Sequence, residues 1–342
     1  MKKERFFITG GLGYIGSYFA REALKRGHEV CLYDSLMYEQ NRFRMLNEIS
    51  EGNPERPGLK MIIGDTRNYE LLDSSVKEFN PTYLMHWGDF SSVYSCNHNP
   101  ALTDDVCYQA TKHVVDLCSD LGIPLFYNST SSVYGVQPDS QEMTETDPIP
   151  DATDQYCNIK LKIEAYVKQK KAINPSFKVI LFRPATVFGL SPRLRIELLP
   201  NHFTYMAISN KVVTVADLNA YRAAIDVEDL VEGYFKVIEK GTWDHLLYNI
   251  GHHNISKLEF ALGIQKVTGC KIVTIADIGD LRNLQINCTL FDTEFVFVPK
   301  NTYQTSVERV AEWIGSNLEQ IEESNYSEML NMPLSNWLKI CN

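Results

Sequence analysis

Short apolar runs alternate with amphipathic stretches along the first half of the chain. Arg5 to Thr9 is β-prone and apolar at its centre, and after Gly13 the positions Ile15, Phe19, Ala23 and Leu24 recur at helical spacing until Gly27. Further strands are predicted at Glu29–Tyr33, Lys60–Ile63, Thr82–His86, Pro124–Asn128 and Phe177–Arg183. Between them lie helical patterns over Tyr69–Phe79, from Pro100 to Gly122, and from about Asp154 through Ile159, Ile163, Tyr166 and Val167. In the second of these, Val106, Ala110, His113/Val114 and Leu117 share one side. Alternating strands and helices with short links predict an α/β fold, a doubly wound parallel sheet covered on both faces.

Past Gly189 the rhythm changes. A helix-like run reaches Ile208, a short strand covers Lys211–Val215, residues 226–240 read as a helix, and Leu246–Ile250 reads as another sheet strand. Residues 253–342 mix short helices and strands, including the β-prone Phe295-Val296-Phe297-Val298, and read as a smaller mixed α/β C-terminal lobe. The expected division is 1–189, completed by about 223–252, against 190–222 with 253–342. The last fifteen or so residues, polar with scattered Leu, Met and Trp, are not placed.

With 342 residues there is ample chain for a core, and 44% hydrophobic with 22% charged residues is ordinary for a globular protein. The formal charge of −10 argues against non-specific binding to nucleic acid or anionic membranes, yet allows a locally basic pocket. The eight cysteines form no Cys-x-x-Cys pair and no cluster with His, so reduced thiols without a metal are expected. The apolar run at the N-terminus is too short for a signal peptide and no later run is long enough to span a membrane, so a cytoplasmic protein is expected.

The first strand-to-helix turn carries the chemistry of a ligand site. Gly10-Gly11-Leu12-Gly13-Tyr14-Ile15-Gly16 lets a diphosphate approach the backbone at a helix N-terminus, where N–H groups and a partial positive charge await it. The second strand ends in Asp34, eighteen residues after Gly16, where a Rossmann-type dinucleotide fold places the carboxylate for the adenosine ribose. Asp34 would repel a 2′-phosphate, so NAD is expected rather than NADP.

After the fifth strand comes the hydroxyl-rich run Ser129-Thr130-Ser131-Ser132. Tyr156 and Lys160, four residues apart, share one helix face. An ammonium near a phenol favours the phenolate, as does a cationic nicotinamide, so Tyr156 is expected to titrate below its model value of about 10 and to act as a general base.

Together these motifs resemble the extended short-chain dehydrogenase/reductase superfamily, in its branch of NAD-dependent sugar-nucleotide epimerases and dehydratases. Gly64-Asp65 and Phe182-Arg183-Pro184-Ala185-Thr186-Val187-Phe188-Gly189 extend the likeness across almost the whole chain. The resemblance implies C4 oxidation of a nucleotide-linked sugar, giving a 4-epimer or a 4-keto product. It assigns Thr130 to the sugar O4, with Ser131 beside it; Tyr156 becomes the base, and Lys160 both tunes Tyr156 and holds the nicotinamide ribose. It assigns Asp65 to the adenine, and Arg193 or Arg195, Asn201, Arg222 and Arg282 to the sugar-nucleotide diphosphate or substrate. It also implies a homodimer through the helices at about 100–121 and 154–174.

Departures narrow the reading. Where the family has His-Leu-Ala-Ala this chain has His86-Trp87-Gly88-Asp89; Asp89 is read as solvated or capping, His86 as a packed strand end. Cys107 stands where Asn is common. Ser131 and Ser132 replace the acidic pair of the dehydratases, which counts against 4,6-dehydration. A ketosugar-nucleotide reductase shares every residue named, whereas a redox-silent binding protein would have lost the Tyr/Lys pair. The run Ser191-Pro192-Arg193-Leu194-Arg195-Ile196-Glu197-Leu198-Leu199 looks like the subset acting on GDP-heptoses.

Overall fold

A computed structural model of the chain describes residues 2–37, 42–53, 55–137, 141–152, 154–276 and 283–323. Its first elements are β1 (Arg5–Thr9), α1 (Tyr14–Lys25), β2 (Glu29–Asp34), α2 (Arg42–Ser50), β3 (Leu59–Ile63), α3 (Tyr69–Phe79) and β4 (Tyr83–His86). There follow α4 (Val93–His98), α5 (Pro100–Thr103), a π-helical turn over Asp104–Gln109, α6 (Ala110–Leu121), β5 (Leu125–Asn128), α7 (Gln155–Ile173) and β6 (Val179–Pro184). Next come β7 (Thr186–Phe188), α8 (Leu199–Ser209), β8 (Val212–Val215), β9 (Tyr221–Asp226), α9 (Val227–Lys240), β10 (Leu247–Ile250) and β11 (His253–Ser256). The last are α10 (Lys257–Thr268), β12 (Lys271–Thr274), α11 (Thr289–Phe295) and α12 (Tyr303–Glu323).

The chain divides into two compact units. The first comprises 1–133, 151–183 and 238–248; the second comprises 134–150, 184–237 and 249–342.

In the first unit the strands lie in the order β10-β6-β5-β4-β1-β2-β3, with the run from β6 to β3 parallel. This is the doubly wound α/β arrangement that the alternating pattern predicts. Both faces of each central strand are buried, which is why those strands read as apolar runs. Phe6 packs edge-on against Phe19 of α1, ring centroids 5.0 Å apart. Phe7, its neighbour, faces the opposite way and joins Leu72 and Val76 of α3, Val114 of α6 and Ile163 and Val167 of α7. Sequence direction reverses between β1 and β4, and ligands of such sheets bind at the carboxyl ends of the strands at that point. The Gly10 turn and the Trp87-Gly88-Asp89 loop both leave the sheet there.

Local signals set the helix ends. Asn68 accepts the Leu71 N–H at the start of α3, and Asn80 closes it in the left-handed region at φ 48°. Asp154 accepts the Cys157 N–H at 2.8 Å and starts α7, which puts Tyr156 and Lys160 in its first two turns. The helical pattern from Pro100 to Gly122 is interrupted by the wider π turn, which holds Cys107 with its sulfur 3.2 Å from the Phe90 N–H.

The second unit holds a three-stranded sheet, β11-β9-β7, and a two-stranded parallel pair, β12-β8. In the former β11 runs antiparallel and β7 parallel to β9. Its core joins Phe188, Phe203, Val213, Val215, Ala224, Phe260, Ile264 and Val307, and Ser256 with Glu259 forms a reciprocal cap at the start of α10. The β-prone Phe295–Val298 stretch is not a strand. It ends α11, with Val296 left-handed at φ 47° and the Phe297 N–H returning to the Asp292 carbonyl at 2.9 Å. Phe291 packs on Phe295 and Phe297, at centroid distances of 4.8 and 5.4 Å. That aromatic cluster outweighs a β preference that depends strongly on context.

Seven cysteines lie among the described residues, all as free thiols and six of them buried. No group of described His, Cys, Asp or Glu side chains is arranged to hold a metal ion. No described helix is long and apolar enough to cross a membrane.

Candidate active site

The turn after β1 is shaped for close approach. Gly10 has φ +65°, and a Cβ there would sit 2.5 Å from the Trp87 carbonyl oxygen. A Cβ on Gly16 would strike the Gly10 carbonyl, the oxygen that accepts the Gly13 N–H at 2.9 Å and so closes the turn. Gly13 is the N-cap of α1 and offers no side chain to its first N–H groups. The N-terminal end formed by Tyr14, Ile15 and Gly16 is therefore suited to an anion. At the end of β2 the Asp34 carboxylate accepts the Leu12 and Leu36 N–H groups, each at 2.9 Å. A carboxylate has about four acceptor sites, so Asp34 keeps capacity for ribose hydroxyls. These residues fit NAD. Asp65 differs from expectation in one respect: Arg67 grips its carboxylate at 2.6 Å and holds it below the usual aspartate range.

Gly16→Ala is expected to weaken NAD binding by about tenfold or more, because the added methyl displaces the carbonyl that shapes the turn. Calorimetric titration with NAD measures this, alongside a melting curve as a check on folding. Unchanged affinity would remove the turn as the diphosphate seat.

Thr130 follows β5, its hydroxyl accepting the Ser132 N–H at 3.2 Å and lying close enough to Tyr156 to pull that phenol's pKa down. Thr130 and Ser131 are both buried. Lys160 lies one helical turn beyond Tyr156, its ammonium 5.9 Å from the Tyr156 ring centroid and 4.5 Å from that of Tyr127. The expected partners thus converge. Burial pushes the Tyr156 phenol up, and the opposing pull of Lys160 and Thr130 is smaller, so lowering it toward neutrality would fall to the cationic nicotinamide. One expectation fails. Asp89 is neither solvated nor a cap. Its side chain is only 5% exposed and its Oδ2 lies 2.8 Å from the Lys160 Nζ, a side chain 6% exposed.

The pair sits in a buried polar network. Lys160 also donates to the Tyr127 hydroxyl at 3.0 Å and to the Asn128 carbonyl at 2.7 Å. The Tyr127 hydroxyl donates to Asp89 Oδ2 at 2.9 Å, and the Thr111 hydroxyl to Asp89 Oδ1 at 3.2 Å. His86 Nε2 meets that same Thr111 hydroxyl at 2.8 Å, while its Nδ1 meets Thr9 at 2.6 Å. Burial pushes His86 down to about 4, so it is neutral near pH 7 and belongs to the packed strand end. Burial opposes the charges on Lys160 and Asp89 as well. Each nevertheless stabilises the other's charge, so Lys160 lies well above and Asp89 below its ordinary value.

A second buried cluster was not anticipated. Arg183 at the end of β6 grips Glu164 of α7 through Nε at 2.9 Å and Nη2 at 2.6 Å, with side chains 1% and 3% exposed. Ser129 donates to the same carboxylate at 2.5 Å, which braces the residue next to Thr130. The signal was present in the Phe182-Arg183-Pro184 motif, but nothing in the sequence pairs Arg183 with Glu164.

In the second unit Arg193, Arg195 and Arg222 are buried. Arg195 pairs with Glu197 at 2.9 Å, and Arg222 donates to the Tyr221 carbonyl at 2.8 Å. Asn201 accepts the Gly189 N–H at 3.1 Å and donates to the Arg195 carbonyl at 2.9 Å, tying two loops together. Buried guanidinium groups within one unit match the chemistry of a diphosphate. Arg282 lies outside the described residues.

Residues 6–251 match the family model described as the NAD dependent epimerase/dehydratase family. Among curated proteins the chain is 26% identical over 285 residues to a UDP-glucose 4-epimerase of Bacillus subtilis, a match spanning 78% of this chain and 82% of the relative. It is 25% identical over 296 residues to UDP-arabinose 4-epimerase 1 of Arabidopsis thaliana, across 78% of this chain and 67% of the relative. Its fold is like that of the Thermus thermophilus UDP-glucose 4-epimerase solved with NAD, with TM-score 0.76 and 22% identity over 90% of this chain and 98% of that one. A dTDP-glucose 4,6-dehydratase of Bacillus anthracis solved with NAD gives TM-score 0.79 and 22% identity over 92% and 98% of the two chains.

Proposed function

From the premise that the chain belongs to the NAD dependent epimerase/dehydratase family, we propose that it binds NAD and a sugar nucleotide and oxidises the sugar at C4. The product is the 4-epimer or the 4-keto sugar nucleotide. The observation that carries this reading is the convergence of Thr130, just beyond the carboxyl end of β5, with Tyr156 and with Lys160 one helical turn further along α7: Thr130 and Lys160 both act on the Tyr156 phenol.

Gly10, Gly13 and the N-terminal end of α1 at Tyr14, Ile15 and Gly16 would hold the diphosphate of NAD, and Asp34 its adenosine ribose. When bound, NAD accepts the hydride from C4. Thr130 orients the sugar O4, and Tyr156 takes the O4 proton as that hydride leaves. Lys160, on the same helix face, favours the tyrosinate form that accepts this proton, and the transfer leaves Tyr156 a neutral phenol. Return of hydride to the other face, with the proton restored from Tyr156, yields the epimer. Ser131 and Ser132 carry no carboxylate for removing a proton beside the ketone, which disfavours 4,6-dehydration. Arg193, Arg195, Arg222 and Arg282 are the candidate diphosphate ligands of the sugar nucleotide, and Asn201 acts by fixing the Arg195 loop.

Matched relatives described as UDP-sugar 4-epimerases make UDP-sugars the first substrates to test. The Ser191–Leu199 run keeps GDP-heptoses as a second class. The enzyme is assigned to the cytoplasm as a homodimer pairing through residues 100–121 and 154–174.

The test incubates the purified chain with NAD and separate UDP-hexose, UDP-pentose and GDP-heptose substrates. Proton NMR follows the sugar and absorbance follows the nicotinamide. A C4 epimer or 4-ketone is expected from one class. Bound NAD without a change in any sugar would mean a redox-silent binding protein and overturn the reading.

A further inference from the structure

We propose that Asp89 is a positioning residue for Lys160: it anchors the ammonium against Tyr127 and the Asn128 carbonyl and offsets much of its charge as felt at Tyr156. The inference rests on the reading of Tyr156 as the base. It adds a residue outside the Tyr156/Lys160 pair, 71 positions away from Lys160 in sequence.

The geometry is specific. Asp89 Oδ2 receives both the Lys160 ammonium at 2.8 Å and the Tyr127 hydroxyl at 2.9 Å. Lys160 donates to three groups: Asp89, Tyr127 and the Asn128 carbonyl. An ammonium has three donors, so this set engages all of them and fixes the group in place. Both side chains are about nineteen-twentieths buried, where a charge is felt more strongly than in water.

The titratable groups around Tyr156 come from several elements. Lys160 and Cys157 lie on α7 itself, Cys96 on α4, and Thr130 follows β5. Around the ion pair stand His86 of β4, Tyr127 of β5 and Cys107 of the π turn. His86 is held neutral by burial. Burial also raises Tyr127, and the neighbouring Cys96 thiol together with burial raises Cys107, which favours the neutral form of each. Among these groups the permanent charges are therefore those of Asp89 and Lys160, and they are opposite. A phenol facing a neutralised ammonium keeps its proton more firmly than one facing a bare ammonium.

Removing the carboxylate raises the charge of the site by one unit. Whichever member of the Tyr156–Lys160 pair releases the first proton, it then does so at lower pH, because the two titrate together. The test is an absorbance titration of tyrosinate in the purified full-length chain, with and without added NAD. The Tyr156 component is the part missing from Tyr156→Phe. In Asp89→Asn its midpoint should fall by about one pH unit or more, and the pH profile of turnover should move the same way. Tyr127→Phe keeps both charges and should hold the original midpoint.

A merely structural Asp89 would lower turnover without moving either midpoint, and that result overturns the proposal. Should Asp89→Asn fail to fold, the carboxyl carbon resonance of Asp89 in the unsubstituted protein decides instead. Ionisation persisting below the ordinary aspartate range is expected, and protonation near pH 5 would overturn the pairing. The tyrosinate titration needs no sugar nucleotide, so its outcome is separate from that of the substrate assay.

Discussion

Tyr156→Phe lowers turnover by about three orders of magnitude, roughly 4 kcal/mol of barrier, while NAD still binds. The substitution keeps the ring that fills its place on α7 and removes only the phenol oxygen on which Thr130 and Lys160 act. The Ser132 N–H that Thr130 accepts is a donor and cannot take the O4 proton in its place. Lys160 is no substitute: its charged form is favoured by Asp89, and an ammonium has no acceptor site. The measurement is nicotinamide reduction on mixing with sugar nucleotide, with bound NAD quantified separately. Turnover within a few-fold of the original would show that another group is the base.

Glu164→Ala destabilises the protein by about 3–5 kcal/mol, because a buried guanidinium is left without its counter-charge. Arg183 holds Glu164 by two hydrogen bonds, and both side chains are almost wholly buried. Ser129 loses its acceptor in the same step, so the segment leading to Thr130 loosens and turnover falls with stability. Replacing both charges with apolar residues of similar volume, as in Glu164→Leu with Arg183→Met, should recover most of the loss. Urea unfolding of the single and double variants checks both statements. A double variant as unstable as Glu164→Ala would mean that packing, not charge, dominates the site.

The sequence by itself determined the features that depend on short spacing. Runs of apolar residues between amphipathic helices require a parallel sheet buried on both faces, as with Phe6 and Phe7 facing opposite helices. Gly10, Gly13 and Gly16 with Asp34 mark a dinucleotide turn because each works through the backbone or at a strand end. Tyr156 and Lys160 share a helix face by their separation alone. Propensity failed at Phe295–Val298, where rings far less than a strand's length apart found one another and bent the chain back.

Only the tertiary structure decided what long-range packing controls. Asp89 reaches Lys160 because β4 and β5 are neighbours in the sheet and α7 covers them, so a residue that reads as solvated becomes a buried counter-ion. Ser129, Glu164 and Arg183 meet for the same kind of reason. The titration of Tyr156 was set there too. Spacing announces the ammonium that lowers it, but the degree of burial that raises it belongs to the folded chain, and burial is the larger of the two effects.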